Sequence, residues 1–310
     1  MPELGRVYAE DPGWTSEDAP LVSIVTLNWN GLRDTLACLS SLERVSYPNV
    51  DRWMVDNGST DGSPEAVRAH FPDVRLVTNP TNLGFAAGFN RGIRAALESG
   101  ADYVFVLNND TVLDPDVVTW LMRPMQIHSD VGISVPKIVY SDAPEKIWSA
   151  GARWVALPPR VKLIGYGEAS TKDELNQPCD LDYATGCAML ISRRTFETVG
   201  LFDEGYFMYQ EDYDYSVRVR ASGLRIRYEP YALVQHKVSQ GLGENSMRKW
   251  YLWSESVVLF YRQHVSWVGL MQFIVWVAAR EMVKGNLSIL PAFWRGIRSG
   301  FTLSSSALRS

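Results

Sequence analysis

Cysteines, long apolar runs and net positive charge are all scarce in this 310-residue chain, and each scarcity removes a class of protein. The three cysteines, Cys38, Cys179 and Cys187, are an odd number without framework spacing. They argue against a disulfide scaffold and read as reduced thiols of a cytoplasmic protein, and none sits in a metal-ligand cluster. The longest uncharged stretch of the C-terminal part, Val265 to Ala279, has 15 residues, short of the roughly 20 that span a bilayer. It reads either as a buried core helix or as a helix lying in a membrane interface. The opening MPELGRVYAEDPGW is polar and acidic, without the apolar segment of a secretory signal. A net charge of −5 argues against a general nucleic-acid binder.

What is present is an ordinary globular composition, 46% hydrophobic and 21% charged, distributed unevenly. From Lys237 onward there are nine Lys or Arg against three Glu and no Asp, and five of the eleven Trp fall there. The acidic body thus carries a basic, aromatic tail. Residues 1–19 read as a loose leader. Strand-like and helix-like runs then alternate, with strands at 21–27, 51–56, 74–78 and 103–108. Helices are expected at 31–42, from Ser63 with Pro64 at the first position, at 84–98, and after Asp114-Pro115. Such alternation implies an α/β fold with a parallel sheet covered on both faces. The pattern is irregular beyond about 130, returns as a strand at 187–192 and a helix at 211–221, and is helical from about 245. The expected division is therefore 20–130, 131–244 and a helical extension, 245–310.

Ligands of open α/β sheets bind beyond the carboxyl ends of the strands. Three polar clusters fall at such ends: Thr26-Leu27-Asn28, Asp56-Asn57-Gly58-Ser59 and Asn108-Asn109-Asp110. Together they suit a nucleotide, with an amide or carboxylate for the base edge and a hard oxygen for a metal on the diphosphate. Asp56-Asn57-Gly58 alone could equally be a plain turn. Between the second and third clusters, Asn82-Leu83-Gly84-Phe85-Ala86-Ala87-Gly88 offers small residues where a helix start can approach a ligand. That segment is neither G-x-G-x-x-G nor G-x-x-x-x-G-K-[ST], which weakens dinucleotide oxidoreductases and P-loop enzymes. Gly88 and Gly92 can also serve close helix-on-sheet packing. In the first turn of the helix at 211–221, Asp212 would stay ionised and available as a base. Glu211 could cap or orient, and Asp214 with Arg218 reads as a surface pair. His236, after a strand, is either structural or a ligand.

With these clusters in order, the chain resembles the family 2 glycosyltransferases, particularly a bacterial rhamnosyltransferase-like branch. The resemblance spans roughly 20–265 and rests on SIVTLNWNG, VDNGSTDGS, NPTNLGFAAGFNRGI, LNNDT and FDEGYFMYQEDYDYSVRVRASG followed by His236. It implies the GT-A fold, with a Rossmann-like nucleotide-binding half and a mixed central sheet. The implied activity is inverting transfer from a nucleotide-sugar through Mg²⁺ or Mn²⁺. Carried over, Thr26, Asn28 and Asp56 border the base and ribose, and Asn82 and Gly84 lie against the nucleotide. Asn108 and Asn109 belong to the same nucleotide-sugar site. Asp110 and His236 are expected on the metal, and Asp212 is the expected general base. Asn108 stands where many relatives have Asp, leaving a neutral amide oxygen in place of a second acid.

The resemblance further implies a dTDP- or UDP-sugar donor, with dTDP-L-rhamnose as first choice, and a glycan or polyprenyl-linked glycan acceptor. The rivals are a UDP-hexose transferase of the same fold, a nucleotidyltransferase and a non-catalytic binding relative. A nucleotidyltransferase would want a Gly-rich basic first loop, yet only Arg33 lies near Asn28. Trp250, Trp253, Trp267, Trp276 and Trp294, with Arg280, Lys284, Arg295 and Arg298, suit docking at the cytoplasmic face of an anionic membrane. A homodimer interface or a plain core extension would suit them too.

Overall fold

A computed structural model describes residues 14–15, 18–238 and 246–303. Most of the expected leader, and the expected boundary at 244–245, lie outside the described residues. The chain begins with three β-α units, β1 (Val22–Asn28), α1 (Leu32–Leu42), β2 (Val50–Asp56), α2 (Ser63–His70), β3 (Arg75–Thr78) and α3 (Gly84–Glu98). Then come β4 (Tyr103–Asn108), β5 (Thr111–Leu113), α4 (Val117–Ile127), β6 (Val131–Tyr140) and β7 (Ile147–Ser149). A hairpin follows, β8 (Ala152–Ala156) and β9 (Pro159–Leu163), then β10 (Cys179–Leu181), β11 (Ala188–Ser192) and α5 (Arg193–Val199). The rest is α6 (Glu211–Ala221), β12 (Arg225–His236), α7 (Met247–His264), α8 (Trp267–Val283) and α9 (Leu290–Gly300).

The central sheet has ten strands in the order β10-β12-β6-β11-β4-β1-β2-β3, with β5 on β12 and β7 on β6. β3, β2, β1 and β4 are parallel, whereas β11 runs antiparallel to both β4 and β6, so the sheet is mixed. Its inner strands are apolar on both faces because both are covered. Along β4, Val104 and Val106 join one core with Phe89 and Ile93 of α3, while Phe105 and Leu107 join the other with Leu39 of α1 and Leu121 of α4. A third core gathers α7, α8 and α9 around Phe260, Phe273 and Phe293.

Two local expectations need correction. Ser63 lies inside α2; the Asp61 carboxylate instead accepts the Ser63 N–H at 3.1 Å. β6 is a ten-residue strand inside the sheet, through a region read as irregular. Pro136 at its centre speaks against a central strand. It is accommodated because β12 bulges between Glu229 and Leu233, where it passes Pro136.

α8 is buried on one face and exposed on the other. Leu270, Phe273, Ile274 and Val277 are buried, while Val268, Met271, Val275 and Met282 face solvent. No helix among the described residues is long and apolar enough to cross a membrane.

Candidate active site

The parallel strands bring their carboxyl ends together as their pairing requires, with Asn28 opposite Asp56 and Leu27 opposite Asn108. Asn28 is the hub of this edge. Its amide donates to Asp56 Oδ1 and to Ser59 Oγ, each at 3.0 Å. Its carbonyl oxygen accepts from Gly31 N, Thr35 Oγ1 and Asn109 Nδ2 at 2.9–3.1 Å. Asp56 is buried and takes the Ser59 N–H on its second oxygen at 2.9 Å. This network holds the loops after β1, β2 and β4 in one register.

Several residues expected to border a nucleotide are turned inward. Thr26 has no exposed surface and donates to the Trp53 carbonyl, so it lies under the cleft floor. Asn109 is spent on Asn28 and on Thr35, the latter at 2.8 Å. Asn82 accepts the Gly84 N–H at 2.8 Å. Gly84 has φ +83°, and a Cβ there would overlap the Phe207 carbonyl oxygen, which accepts the Phe85 N–H at 2.7 Å. The small residue at the head of α3 thus admits the 207 loop. A Cβ on Gly92 would meet Val25 and Val55, and one on Gly88 would meet Leu27, which is close helix-on-sheet packing.

Beside this edge lies a cavity of about 1000 Å³ that brings together Asn108, Gly186, Glu211, Asp212 and His236. Asp56, Asn28 and Asn82 lie outside its lining, on the neighbouring stretch of sheet edge. Asp212 is the second residue of α6, which follows Tyr209 and Gln210, both at positive φ (71° and 69°). That conformation disfavours side chains by about 1–2 kcal/mol each. The carboxylate reaches the loop before β11, where Asp212 Oδ2 accepts the Gly186 N–H at 2.8 Å, while Oδ1 accepts the Tyr213 N–H of its own helix at 2.9 Å. Burial raises Asp212 to about 6, against the lowering by these N–H groups. The helix start was expected to keep the carboxylate low, and burial outweighs it. Asp212 still ionises at neutral pH. Glu211 is buried, its Oε2 has no partner among the described residues, and burial together with the Asp212 charge raises it well above its ordinary value. Asp214 is a buried anchor, not a surface residue: it holds Arg218 at 2.8 Å and His264 of α7 at 2.7 Å.

At the cavity's sheet end, His236 closes β12, and its Nε2 lies 3.2 Å from Asp110 Oδ1. Burial opposes charge on this imidazole, but the neighbouring Cys187 and Asp110 push it up to about 10. Burial also raises the Cys187 thiol. A divalent cation bound there would have to displace the imidazole proton. A carboxylate oxygen and an imidazole suit Mg²⁺ or Mn²⁺, which commonly take few protein ligands and complete their shell with substrate phosphate and water. Among the described residues the buried His236 Nδ1 has no hydrogen-bond partner. Among the described residues no third His, Cys, Asp or Glu joins the pair. The donor set therefore fits an ion that arrives with a diphosphate.

Some of the cavity escaped the sequence reading. Trp148 packs edge-on against His236, with ring centroids 4.5 Å apart. Trp253, Phe260, Phe273 and Trp276 of the tail form its far wall, and Arg153, Arg160 and Lys162 of the hairpin lie on its rim. The alternation Pro-Arg-Val-Lys-Leu at 159–163 was the available signal for a two-faced strand.

Comparison with known proteins agrees with this geometry. The sequence model of the family described as Glycosyl transferase family 2 matches residues 23–200. The N-acetylglucosaminyl-diphospho-decaprenol L-rhamnosyltransferase of Mycobacterium tuberculosis is 27% identical over 307 residues, covering 88% of this chain and 89% of that protein. The low-salt glycan biosynthesis hexosyltransferase Agl10 of Haloferax volcanii is 26% identical over 208 residues, 66% of this chain and 63% of its own. Among solved structures, GalNAc-T7 with UDP, GalNAc and Mn²⁺ superposes with a TM-score of 0.60 at 16% identity, over 79% of this chain and half of that one. The mannosyltransferase PcManGT from Pyrobaculum calidifontis, in complex with GDP-Man and Mn²⁺, does so at 0.57 and 17% identity, over 98% and 82%. At such identities the two structures establish the fold alone, and it is GT-A.

Proposed function

This chain belongs to glycosyl transferase family 2, and from that premise we propose that it inverts the anomeric centre while moving a sugar from a nucleotide-sugar to a glycan hydroxyl. The donor of first choice is dTDP-L-rhamnose and the acceptor a polyprenyl-linked glycan, met at the cytoplasmic face of the membrane. The likeness to the mycobacterial rhamnosyltransferase supports the donor and acceptor. The exposed apolar stripe of α8 supports the location. On this reading residues 20–130 form the donor half, 131–244 the acceptor half, and 245–310 a helical extension.

The observation that carries the reading is the placement of Asp212, ionised and fixed by Gly186, in the same cavity as Asn108 and His236. An acceptor hydroxyl lodged against Asp212 gives up its proton to that carboxylate as its oxygen bonds to the anomeric carbon. The bond from that carbon to the diphosphate breaks on the opposite side, and the leaving nucleoside diphosphate takes the electron pair. Asn28 and Asp56 hold the base-side loops, and the Asn108 amide faces the sugar. A divalent cation held by Asp110 and His236, when bound, supplies charge to the leaving diphosphate.

The test offers the protein dTDP-, UDP- and GDP-sugars with Mn²⁺ and an N-acetylglucosaminyl-diphospho-prenol acceptor, and reads the product's anomeric configuration by NMR. A rhamnosylated product of inverted configuration is expected. Retention would overturn the single displacement, and transfer from a UDP-hexose alone would replace the donor.

A further inference from the structure

The outer half of the cavity has a chemistry that the displacement does not use. Beyond Gly186 its wall is aromatic, with Phe260 and Tyr261 from α7 and Phe273 and Trp276 from α8. Against that wall stands the β8–β9 hairpin. Arg153 pairs with Lys162 and Val155 with Arg160 across its two strands, so the three cations share one face. The Arg160 guanidinium donates to the Leu157 and Pro158 carbonyls at 3.4 and 3.1 Å. It also lies 4.8 Å over the Trp276 ring, and Arg280 lies 4.8 Å over the same ring. Glu281, 2.6 Å from Arg280, offsets part of that second charge. Two guanidinium forks thus stack on one indole where the cavity opens. From Trp276 outward, α8 shows Val268, Met271, Val275 and Met282 at helical spacing, 53–68% exposed.

This sequence of surfaces matches an amphiphile with a doubly charged head. We propose that the outer half of the cavity is the acceptor subsite, in which Arg160 and Arg280 hold the diphosphate of a prenyl-diphosphate-linked sugar. The prenyl chain leaves along the apolar stripe of α8. The proposal rests on the reading of the chain as a transferase acting on a lipid-linked acceptor, and it names what holds that acceptor. Two forks set about one indole can pair with two phosphoryl groups, whereas a monophosphate or a neutral glycan would leave one fork without its anion. The cavity runs from Asp212 to this pair, so a sugar attached to the diphosphate extends inward to the base while the lipid stays outside.

Isothermal titration of the full-length protein with farnesyl diphosphate tests the site, after the donor cleft has been filled with nucleoside diphosphate and Mn²⁺. The parent should bind farnesyl diphosphate about tenfold more tightly than farnesyl monophosphate. Arg160→Gln should weaken the diphosphate about tenfold, as loss of one charge-assisted contact does. Arg160→Lys, which keeps the charge, should recover part of that loss, and all three proteins should melt together. Unchanged diphosphate affinity in Arg160→Gln, or equal affinity of the parent for the monophosphate, would overturn the subsite and leave sugar transfer standing. A parent that releases no nucleoside diphosphate from any nucleotide-sugar with Mn²⁺ would instead bring down the transferase reading itself.

Discussion

Asp212→Asn should exchange activity for stability, and both halves of that exchange can be worked from the structure. The parent carboxylate accepts two N–H groups, from Gly186 at 2.8 Å and Tyr213 at 2.9 Å. Burial still raises it from 3.8 to about 6, so carrying its charge at pH 7.5 costs on the order of 3 kcal/mol. Asparagine sheds that charge and keeps one acceptor. Its NH₂ group must then face the second N–H, a loss of about 1–2 kcal/mol. The balance leaves the variant about 1–2 kcal/mol more stable, roughly 2–4 °C in Tm. Transfer should fall by about 10²–10⁴, the usual contribution of a positioned base.

The pH dependence supplies an internal control. A carboxyl whose folded pKa lies above its unfolded one binds more protons in the folded state between the two values. The parent therefore loses stability as pH rises from about 4 to 6 and regains it on acidification. The variant's Tm advantage should shrink when scanning fluorimetry is moved from pH 7.5 to pH 5. The parent's kcat/KM should climb about tenfold per pH unit below 6 and level above it. Product formation followed by mass spectrometry, with donor affinity from calorimetry, completes the measurement. Transfer within tenfold of the parent, or a Tm that drops equally at both pH values, would refute the assignment.

Three further outcomes follow from other parts of the molecule. Asp110→Asn should weaken Mn²⁺ binding at least about tenfold in the presence of nucleoside diphosphate; unaltered calorimetric affinity would move the metal elsewhere. Gly84→Ala, forced into φ +83° against the Phe207 carbonyl, should lose about 3 kcal/mol in urea unfolding, and a loss below 1 would mean that the 207 loop yields. Val275→Glu, at a position 63% exposed, should leave Tm unchanged while cutting flotation with anionic vesicles about tenfold; equal flotation would take α8 off the membrane.

The proposed donor side and acceptor side are written in the sequence at different ranges, and that decides what could be read from it. Asn28, Asp56 and Asn108 each end an apolar strand, so a local pattern marks them, and parallel pairing of those strands then forces them together. Asp212 was legible for a similar reason, as the second residue of a well-marked helix. The roles of single side chains at that edge were not legible, because polar residues of a ligand site and of the network beneath it look alike. Thr26 and Asn109 are spent on Trp53, Asn28 and Thr35, and only the folded loops reveal it. The wall of the proposed acceptor subsite is harder still. Trp148, Gly186, Tyr209 and Trp253 come from four separate stretches of chain, and no periodicity links them. Its hairpin hides behind a strand whose proline, Pro136, argues against the pairing that β12 bulges to permit. A site assembled by tertiary packing, as this half is, can vary in acceptor without disturbing the local strand-end signals that mark the donor edge. The basic hairpin and the aromatic face of the tail are accordingly where substitutions should change what is glycosylated rather than whether sugar is transferred.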